Sequence, residues 1–199
     1  NLGKNYSKLA TDPSKPLINR ATTSMYPPGS TFKVVMSLIG LQEGAITPNT
    51  RYSCNGGFHI GGLTVRCHGH APRPNVGYAI QTSCNAFYCN TYREILHQDR
   101  FENIEEGYNN WKSYLNRMGL GDKLGTDISG EKPGNVPNAN YFHKIHGQNK
   151  WNYVRIISMS IGQGELLLTP MQMANISAMV ANRGYFYTPH FIRSDNVPE

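Results

Sequence analysis

The sequence has few charged residues and no long apolar run. Charged residues make up 16% of the 199 residues, and no apolar stretch approaches the ~20 residues that cross a bilayer. The net charge is +6, but the basic residues are scattered, which excludes the clustered footprint of a nucleic-acid-binding protein. Because 39% of the residues are hydrophobic, disorder is excluded as well. We therefore expect one folded domain, or part of a larger one, with no nucleic-acid partner.

The chain also lacks an internal repeat, a low-complexity linker and an N-terminal signal peptide. It begins in loop-like sequence and stops at Asn196-Val197-Pro198-Glu199. We expect both ends to be boundaries within a longer protein, with any membrane anchor lying outside the sequence.

The most informative segment that is present is Tyr26-Pro27-Pro28-Gly29-Ser30-Thr31-Phe32-Lys33. The prolines delay the start of a helix, which then follows over residues 30–43 on the spacing of its apolar residues. Ser30 and Lys33 share one face of that helix, one turn apart. An amine beside a hydroxyl at a helix N-terminus forms a nucleophile–base pair, since the dipole favours a developing alkoxide. The alternative is an ordinary helix start, with Ser30 as its N-cap and Lys33 in solvent.

Periodicity elsewhere predicts a mainly α chain with few strands. We expect residues 1–29, 44–74 and 119–150 to be largely irregular, since glycine and proline are frequent in the last two. The predicted elements after residue 43 are helices at Val76–Gln81, from Asn85 onward, at Tyr108–Met118 and at Met171–Asn182, and a strand at 185–193.

Three further blocks accompany the Ser-x-x-Lys motif. A Ser-x-Asn pattern occurs at Ser83-Cys84-Asn85, between two predicted helices, with rival matches at Ser53-Cys54-Asn55 and Ser194-Asp195-Asn196. Downstream lie Gly125-Thr126-Asp127-Ile128 and Ile161-Gly162-Gln163-Gly164, the latter followed by the 168–174 segment LTPMQMA. In this order and over nearly the whole chain, the blocks resemble those of class B penicillin-binding proteins, particularly the elongation-type penicillin-binding protein 2 group.

That resemblance implies a D,D-transpeptidase that crosslinks peptidoglycan through a serine acyl-enzyme. Ser30 would attack the D-Ala-D-Ala stem peptide with Lys33 as base, and β-lactams would acylate Ser30 as substrate mimics. Ser83 would relay a proton between Lys33 and the leaving amine, and Asn85 would hold Lys33 or the substrate's amide. The resemblance further implies a periplasmic domain of an inner-membrane-anchored protein, with other cell-elongation proteins as partners.

The family's third motif, Lys-Ser/Thr-Gly, occurs nowhere in the sequence. In the family it lies on a strand beyond the segment that this chain covers, and it supplies an oxyanion donor. Residues 1–199 would then be a partial transpeptidase domain: the helical part of a penicillin-binding/serine β-lactamase-like α+β fold, without most of its central sheet. We expect this chain alone to be inactive.

The four cysteines include a second candidate site. Cys54, Cys67, His70 and Cys84 follow the pattern C-x12-C-x2-H-x13-C, and three thiolates with one imidazole are a ligand set for structural zinc. His68 is a rival ligand, but Gly69-His70 matches a Gly-His step of the family. A disulfide such as Cys54–Cys67 and four free thiols are the alternatives. Cys89 has no partner in either scheme, and we expect it in the core.

Two other functions would account for some of these sequence motifs. A serine β-lactamase or β-lactam sensor also carries Ser-x-x-Lys, although the blocks at 125–128 and 161–164 fit those classes poorly. A zinc-stapled interaction module without enzymatic activity would account for the cysteines alone.

Overall fold

A computed structural model describes residues 2–192, apart from the side chain of Leu2. Its α-helices are α1 (Leu2–Thr11), α2 (Arg20–Thr23), α3 (Phe32–Gln42), α4 (Val76–Gln81), α5 (Asn85–Leu96), α6 (Ile104–Arg117), α7 (Ala139–His146) and α8 (Pro170–Ala181). Short 3-10 helices lie at Gly29–Thr31 and Ile157–Ile161, and two strands, β1 (Gly57–Ile60) and β2 (Leu63–Arg66), form a hairpin. The prediction of a mainly helical chain with few strands is thus confirmed.

Helix α5 occupies the centre of the core. It packs against α3, α6, β1 and the 3-10 helix at Ile157–Ile161. Five of its large side chains are completely buried: Phe87, Tyr88, Tyr92, Ile95 and Leu96. Because each buried aromatic or aliphatic side chain contributes about 1.5–3 kcal/mol, α5 fixes the residues at its N-terminus firmly in space.

An aromatic cluster joins α6 and α7 to this core. Trp111 of α6 lies 5.1 Å from Tyr92 and 5.5 Å from Tyr108, measured between ring centroids. Tyr108 meets Phe142 of α7 edge to face at 5.4 Å, and its hydroxyl donates to the carbonyl of Pro137. Edge-to-face contacts of this kind stabilise beyond the area that they bury, so α6 and α7 are held in a fixed orientation.

The hairpin corrects the prediction that residues 44–74 are irregular. Strands β1 and β2 are antiparallel, with Phe58 opposite Val65 and Ile60 opposite Leu63. The two-residue turn between them, Gly61-Gly62, has positive φ at both positions (51° and 80°). Glycine pairs favour this type of turn, so the signal was present in the sequence and the glycine content was misread as loop.

Other corrections concern the ends of the chain and the loop after α6. Residues 1–29 contain α1 and α2, residues 119–150 contain α7, and α6 begins four residues before the predicted Tyr108. Asn103 caps α6 by accepting a hydrogen bond from the backbone N–H of Glu106, which sets the earlier start of the helix. The other predicted helices are confirmed to within two residues.

The strand predicted at 185–193 is wrong over residues 185–192, and residue 193 lies outside the described part. A strand needs a partner, and within residues 2–192 the hairpin forms the only sheet.

None of the helices within residues 2–192 combines the length and the apolar character of a membrane span.

Candidate active site and metal-ligand cluster

The segment before Ser30 is held in place by backbone pairing. Tyr26 exchanges two hydrogen bonds with Leu168, with N···O distances of 2.9 and 2.8 Å. Gly29 then turns the chain with φ of 58° into the 3-10 helix, and α3 follows from Phe32. The α-helix therefore starts two residues later than predicted, but Ser30 still lies at the entrance to α3, exposed to solvent.

Lys33 does not extend into solvent: it is 2% exposed. Its Nζ donates to the carbonyl oxygen of Ser83 (2.7 Å), to Ser83 Oγ (2.8 Å) and to Asn85 Oδ1 (2.6 Å). Burial lowers the pKa of Lys33, and the negative charge that Cys67 and Cys84 can carry opposes that shift only in part. A lysine with a lowered pKa releases its proton more readily, as a general base must.

Ser83 connects the nucleophile to the lysine. Its hydroxyl lies 2.9 Å from Ser30 Oγ and 2.8 Å from Lys33 Nζ, so the three groups form a continuous hydrogen-bonded chain. Ser83 itself has φ of 54°, the left-handed conformation that non-glycine residues rarely adopt. Strained backbone of this kind is concentrated at functional sites, where the surrounding structure enforces it.

Asn85 is oriented by a backbone contact on its other side. Its Nδ2 donates to the carbonyl of Arg66, at the end of β2, with a distance of 2.7 Å. Because the amide nitrogen is used there, the amide oxygen faces Lys33. The structure thus brings Ser30, Lys33, Ser83 and Asn85 together at one point, from α3 and from the corner between α4 and α5.

The rival Ser-x-Asn matches lie elsewhere. Ser53 and Asn55 line a groove of about 260 Å³ beside the hairpin and Arg93. Ser194-Asp195-Asn196 lies outside the described residues.

The second candidate site adjoins this corner. Donor atoms of Cys54, Cys67, His70 and Cys84 all lie within 4.8 Å of one another. His68 is exposed and is not part of the group, and all four cysteines are free, so the structure contains no Cys54–Cys67 disulfide. Cys89 is fully buried in the core, as expected.

The donor geometry fits a tetrahedral ion. Bond lengths of ~2.3 Å to sulfur and ~2.0 Å to nitrogen imply separations of about 3.8 Å between two sulfurs and about 3.5 Å between sulfur and nitrogen. The structure has 3.9 Å between Cys67 Sγ and Cys84 Sγ, and 3.5 Å between Cys54 Sγ and His70 Nε2. These two separations match those around zinc, and all four donors lie within 4.8 Å of one another.

Outer contacts prepare the same groups for ligation. His70 Nδ1 lies 2.8 Å from the carbonyl of Ala71; donating there leaves the Nε2 lone pair free to bind a metal. Cys67 Sγ accepts a hydrogen bond from the backbone N–H of Ala86. Burial raises the pKa of the Cys67 thiol, but that bond and the contact with His70 outweigh burial, so its pKa is lowered overall. Burial raises the pKa of the Cys84 thiol, which indicates that this sulfur is costly to leave as an unliganded thiolate.

Gly162 has a role that the sequence showed only as a tight turn. Gly29 donates its N–H to the carbonyl of Gly162 at 2.8 Å, and Gly162 has φ of 70°. A Cβ at position 162 would lie 2.3 Å from the carbonyl oxygen of Gly29. The block at 161–164 therefore supports the backbone immediately before Ser30, and only glycine allows that close approach.

The remaining blocks anchor the loops around the site. Gln172 caps α8 together with Thr169 and donates from Nε2 to the carbonyls of Gly119, Asp122 and Pro133. Asp127 accepts hydrogen bonds from the backbone N–H groups of Phe191 and Ile192, at 2.8 and 2.7 Å. Both side chains fix backbone segments, a task that their sequence spacing did not reveal.

The sequence matches a known protein family and its curated members. The family model for the penicillin binding protein transpeptidase domain matches residues 3–197. The peptidoglycan D,D-transpeptidase MrdA of Acinetobacter baumannii is 33% identical over 193 residues, which covers 96% of this chain and 27% of that protein. MrdA of Escherichia coli K12 is 30% identical, over 96% of this chain and 29% of that protein. The chain thus spans less than a third of the length of these relatives.

Solved structures of penicillin-binding protein 2 share the fold of this chain. A complex of penicillin-binding protein 2 (PBP2) and MreC from Helicobacter pylori matches with a TM-score of 0.81 and 27% identity, over 98% of this chain and 34% of that chain. PBP2 of Pseudomonas aeruginosa in complex with WCK 5153 matches with a TM-score of 0.79 and 27% identity, over 94% of this chain and 41% of that chain.

The support that Gly162 gives to Gly29 is testable by adding one methyl group. We expect Gly162→Ala to destabilise the protein by about 1–3 kcal/mol more than Gly164→Ala, because the new Cβ collides with Gly29. Gly164 is a matched control: its φ of 69° carries the same backbone strain, but its Cβ would meet nothing closer than 3.3 Å. Urea unfolding of the two variants measures the difference, and equal losses of stability would show that the close approach is unimportant.

Proposed function

The chain belongs to the penicillin-binding protein transpeptidase family, and from that premise we propose that it carries the acylated part of a peptidoglycan D,D-transpeptidase. The substrates are stem peptides ending in D-Ala-D-Ala, and β-lactams acylate the same serine. The observation that carries the proposal is the hydrogen-bonded chain from Ser30 through Ser83 to the buried Lys33.

The geometry suggests how the proton moves. Lys33 first loses the proton that its Nζ donates to Ser83 Oγ and becomes neutral. Ser30 Oγ then attacks the carbonyl carbon of the penultimate D-Ala, and its proton passes to the Ser83 hydroxyl while Ser83 gives its own proton to the lone pair of Lys33. Breakage of the C–N bond then releases D-Ala, whose amine takes a proton back along the same path. The amine of a second stem peptide attacks the ester, forms the crosslink and restores Ser30. In this scheme Asn85 keeps the Lys33 amine aligned with Ser83.

The 199-residue chain alone is expected to acylate very slowly. It contains no Lys-Ser/Thr-Gly sequence, and loss of one oxyanion donor costs about 3–4 kcal/mol of transition-state stabilisation. On this proposal residues 1–199 form a partial domain. The missing oxyanion donor is supplied by a Lys-Ser/Thr-Gly strand of the kind that the family carries.

The relatives support a proposal for the location and the partners of the protein. We place the chain in a periplasmic domain of a protein anchored in the inner membrane. Other cell-elongation proteins are its expected partners, since a PBP2–MreC complex and a peptidoglycan synthase complex are among the similar structures.

A serine β-lactamase, a β-lactam sensor and a zinc-stapled interaction module find no support in these comparisons, because the curated relatives are D,D-transpeptidases. Slow deacylation of a penicilloyl adduct distinguishes a transpeptidase from a β-lactamase.

We further propose that Cys54, Cys67, His70 and Cys84 hold structural zinc. The donor set is that of a closed tetrahedral site, and its spacing matches the ion. With all four positions filled by protein, zinc would have no open position for water and would supply rigidity only. Cys84 lies between Ser83 and Asn85, so the ligand set holds the catalytic corner against the loop that carries Cys67.

Acylation at Ser30 is tested by labelling with a fluorescent penicillin. We expect Ser30→Ala to abolish labelling in the protein at its natural full length, because the nucleophilic oxygen is removed. Ser113→Ala, at an exposed serine on α6, is the control and retains labelling. Circular dichroism establishes that both variants are folded, and undiminished labelling of Ser30→Ala would refute the assignment. The isolated 199-residue chain, labelled in parallel, tests the expected inactivity.

The state of Lys33 is tested by the pH dependence of acylation. Relay of the proton requires the neutral amine, so the rate falls as pH falls through the pKa of Lys33. Because burial lowers that pKa, we expect the rate to reach its plateau at a pH below the ordinary lysine value of about 10.4. Stopped-flow acylation from about pH 6 to about pH 11 measures this profile and includes the ordinary lysine value. A midpoint at or above the ordinary value would contradict a buried neutral base.

Zinc is tested by elemental analysis and by chelation. We expect about one zinc per chain, and chelation should lower the melting temperature because metal-binding energy is also folding energy. Acid should release the metal, since protons compete for the thiolates and the imidazole. Cys67→Ser should reduce zinc content, whereas Cys89→Ala, at a thiol outside the cluster, should not. Full zinc occupancy in Cys67→Ser would exclude this ligand set.

A further inference from the structure

We propose that the metal-ligand cluster is also an oxidative modification site: without a bound metal, Cys67 and Cys84 close into a disulfide that switches off acylation of Ser30. The first half of this proposal depends only on the positions of the thiols. The second half rests on the function proposed above.

The two sulfurs are unequal in accessibility and close in space. Cys67 is partly exposed, whereas Cys84 is fully buried, and 3.9 Å separates their Sγ atoms. A disulfide requires about 2.05 Å, so the sulfurs must approach by roughly 2 Å. Cys67 lies on an irregular loop beside exposed His68 and Gly69, which can supply that movement, while Cys84 is fixed at the N-terminus of α5.

This arrangement separates an attacking thiol from a resolving one. The oxidant is a small-molecule disulfide such as oxidised glutathione. Cys67 attacks one of its sulfurs, forms a mixed disulfide and releases one molecule of thiol. Cys84 then attacks the Cys67 sulfur, the second thiol leaves with the proton of Cys84, and the protein disulfide is complete. Two protein thiols are oxidised and one small disulfide is reduced to two thiols.

A bound metal prevents the first step. Thiolates that serve as ligands are not free to attack a disulfide, and a closed tetrahedral shell leaves no approach to the sulfurs. The same residues therefore have two exclusive states, metal-bound thiolates and an oxidised pair.

The oxidised pair would act on the active site through its immediate neighbours. Cys84 lies between Ser83 and Asn85, which make all three hydrogen bonds to Lys33 Nζ. On the other side, Arg66, adjacent to Cys67, accepts the hydrogen bond that orients Asn85. Because Cys84 is fixed, drawing Cys67 toward it moves the adjacent Arg66 away from the position in which its carbonyl orients the Asn85 amide. With the Asn85 amide free to rotate, Lys33 Nζ loses the Asn85 Oδ1 acceptor and is no longer held in line with Ser83 and Ser30.

The experiment compares three samples of the protein at its natural full length: zinc-loaded, chelated under reducing conditions, and chelated with oxidised glutathione. Non-reducing peptide mapping identifies the disulfides, and a fluorescent penicillin reports acylation. We expect a Cys67–Cys84 bond only in the third sample, with labelling at least tenfold slower there than in the second and restored by a reductant. Cys89→Ala should behave like the parent protein, and Cys67→Ser should form no such bond.

Unfolding of the metal-free protein would give a different pattern. In the folded cluster the Cys67–Cys84 bond predominates, and a Cys54–Cys67 or Cys54–Cys84 bond in its place would overturn the proposal, since the Cys54 sulfur lies in the same cluster. An unfolded chain yields a mixture that includes Cys89, and such a mixture would overturn the proposal as well. His70→Ala weakens metal binding without removing a thiol, and it should form the same selective bond without a chelator. An equal yield of the bond in the zinc-loaded sample would overturn the protective role of the metal. A selective bond with unchanged labelling would overturn the switch. Absence of labelling in the zinc-loaded sample would refute the proposed function but leave the mapping result valid.

Discussion

The site depends on one buried cation. Lys33 reaches from α3 into a pocket where its three acceptor contacts come from two residues, Ser83 and Asn85, on the corner between α4 and α5. A buried ammonium without such partners would be too costly to desolvate, so these contacts are a condition for folding as well as for chemistry. Negative charge on Cys67 and Cys84 opposes, only in part, the burial that lowers the pKa of Lys33. The balance leaves a lysine that is fixed in position and can still give up its proton.

The corner is in turn fixed from three directions. From below, the buried face of α5 anchors Asn85 to the aromatic core. From the side, Cys84 faces Cys67 in the cluster that also contains Cys54 and His70. From the hairpin, the carbonyl of Arg66 sets the rotation of the Asn85 amide. These contacts involve residues far apart in sequence, which is why a loop rich in glycine and cysteine becomes a rigid wall of the site.

Features set by interactions between neighbours in the sequence were predictable, and features set by contacts between distant residues were not. Helices α3, α4, α5 and α8 were predictable because their apolar spacing and caps are local, and the ligand group of Cys54, Cys67, His70 and Cys84 was suggested by spacing. The relay role of Ser83 was implied by the family resemblance and not by local pattern, and the contact of Gly162 with Gly29 was not predicted, since both depend on how distant elements pack. The strand at 185–192 failed for a related reason: β propensity is only a preference until a partner strand satisfies the backbone.

Several parts of the site would be unfavourable by themselves. Ser83 has a left-handed backbone that costs about 1–3 kcal/mol. Lys33 is desolvated. Gly162 loses the conformational freedom of a glycine when it is fixed against Gly29. Each is maintained by an element with a different source of stability: the hydrophobic face of α5, the hydrogen bonds around Lys33, and the pairing of Tyr26 with Leu168. Because these sources are independent, weakening one should loosen its own part of the site first. A cluster that alternates between metal and disulfide would therefore control the Asn85 amide, through Arg66, while leaving Ser30 and α3 largely in place.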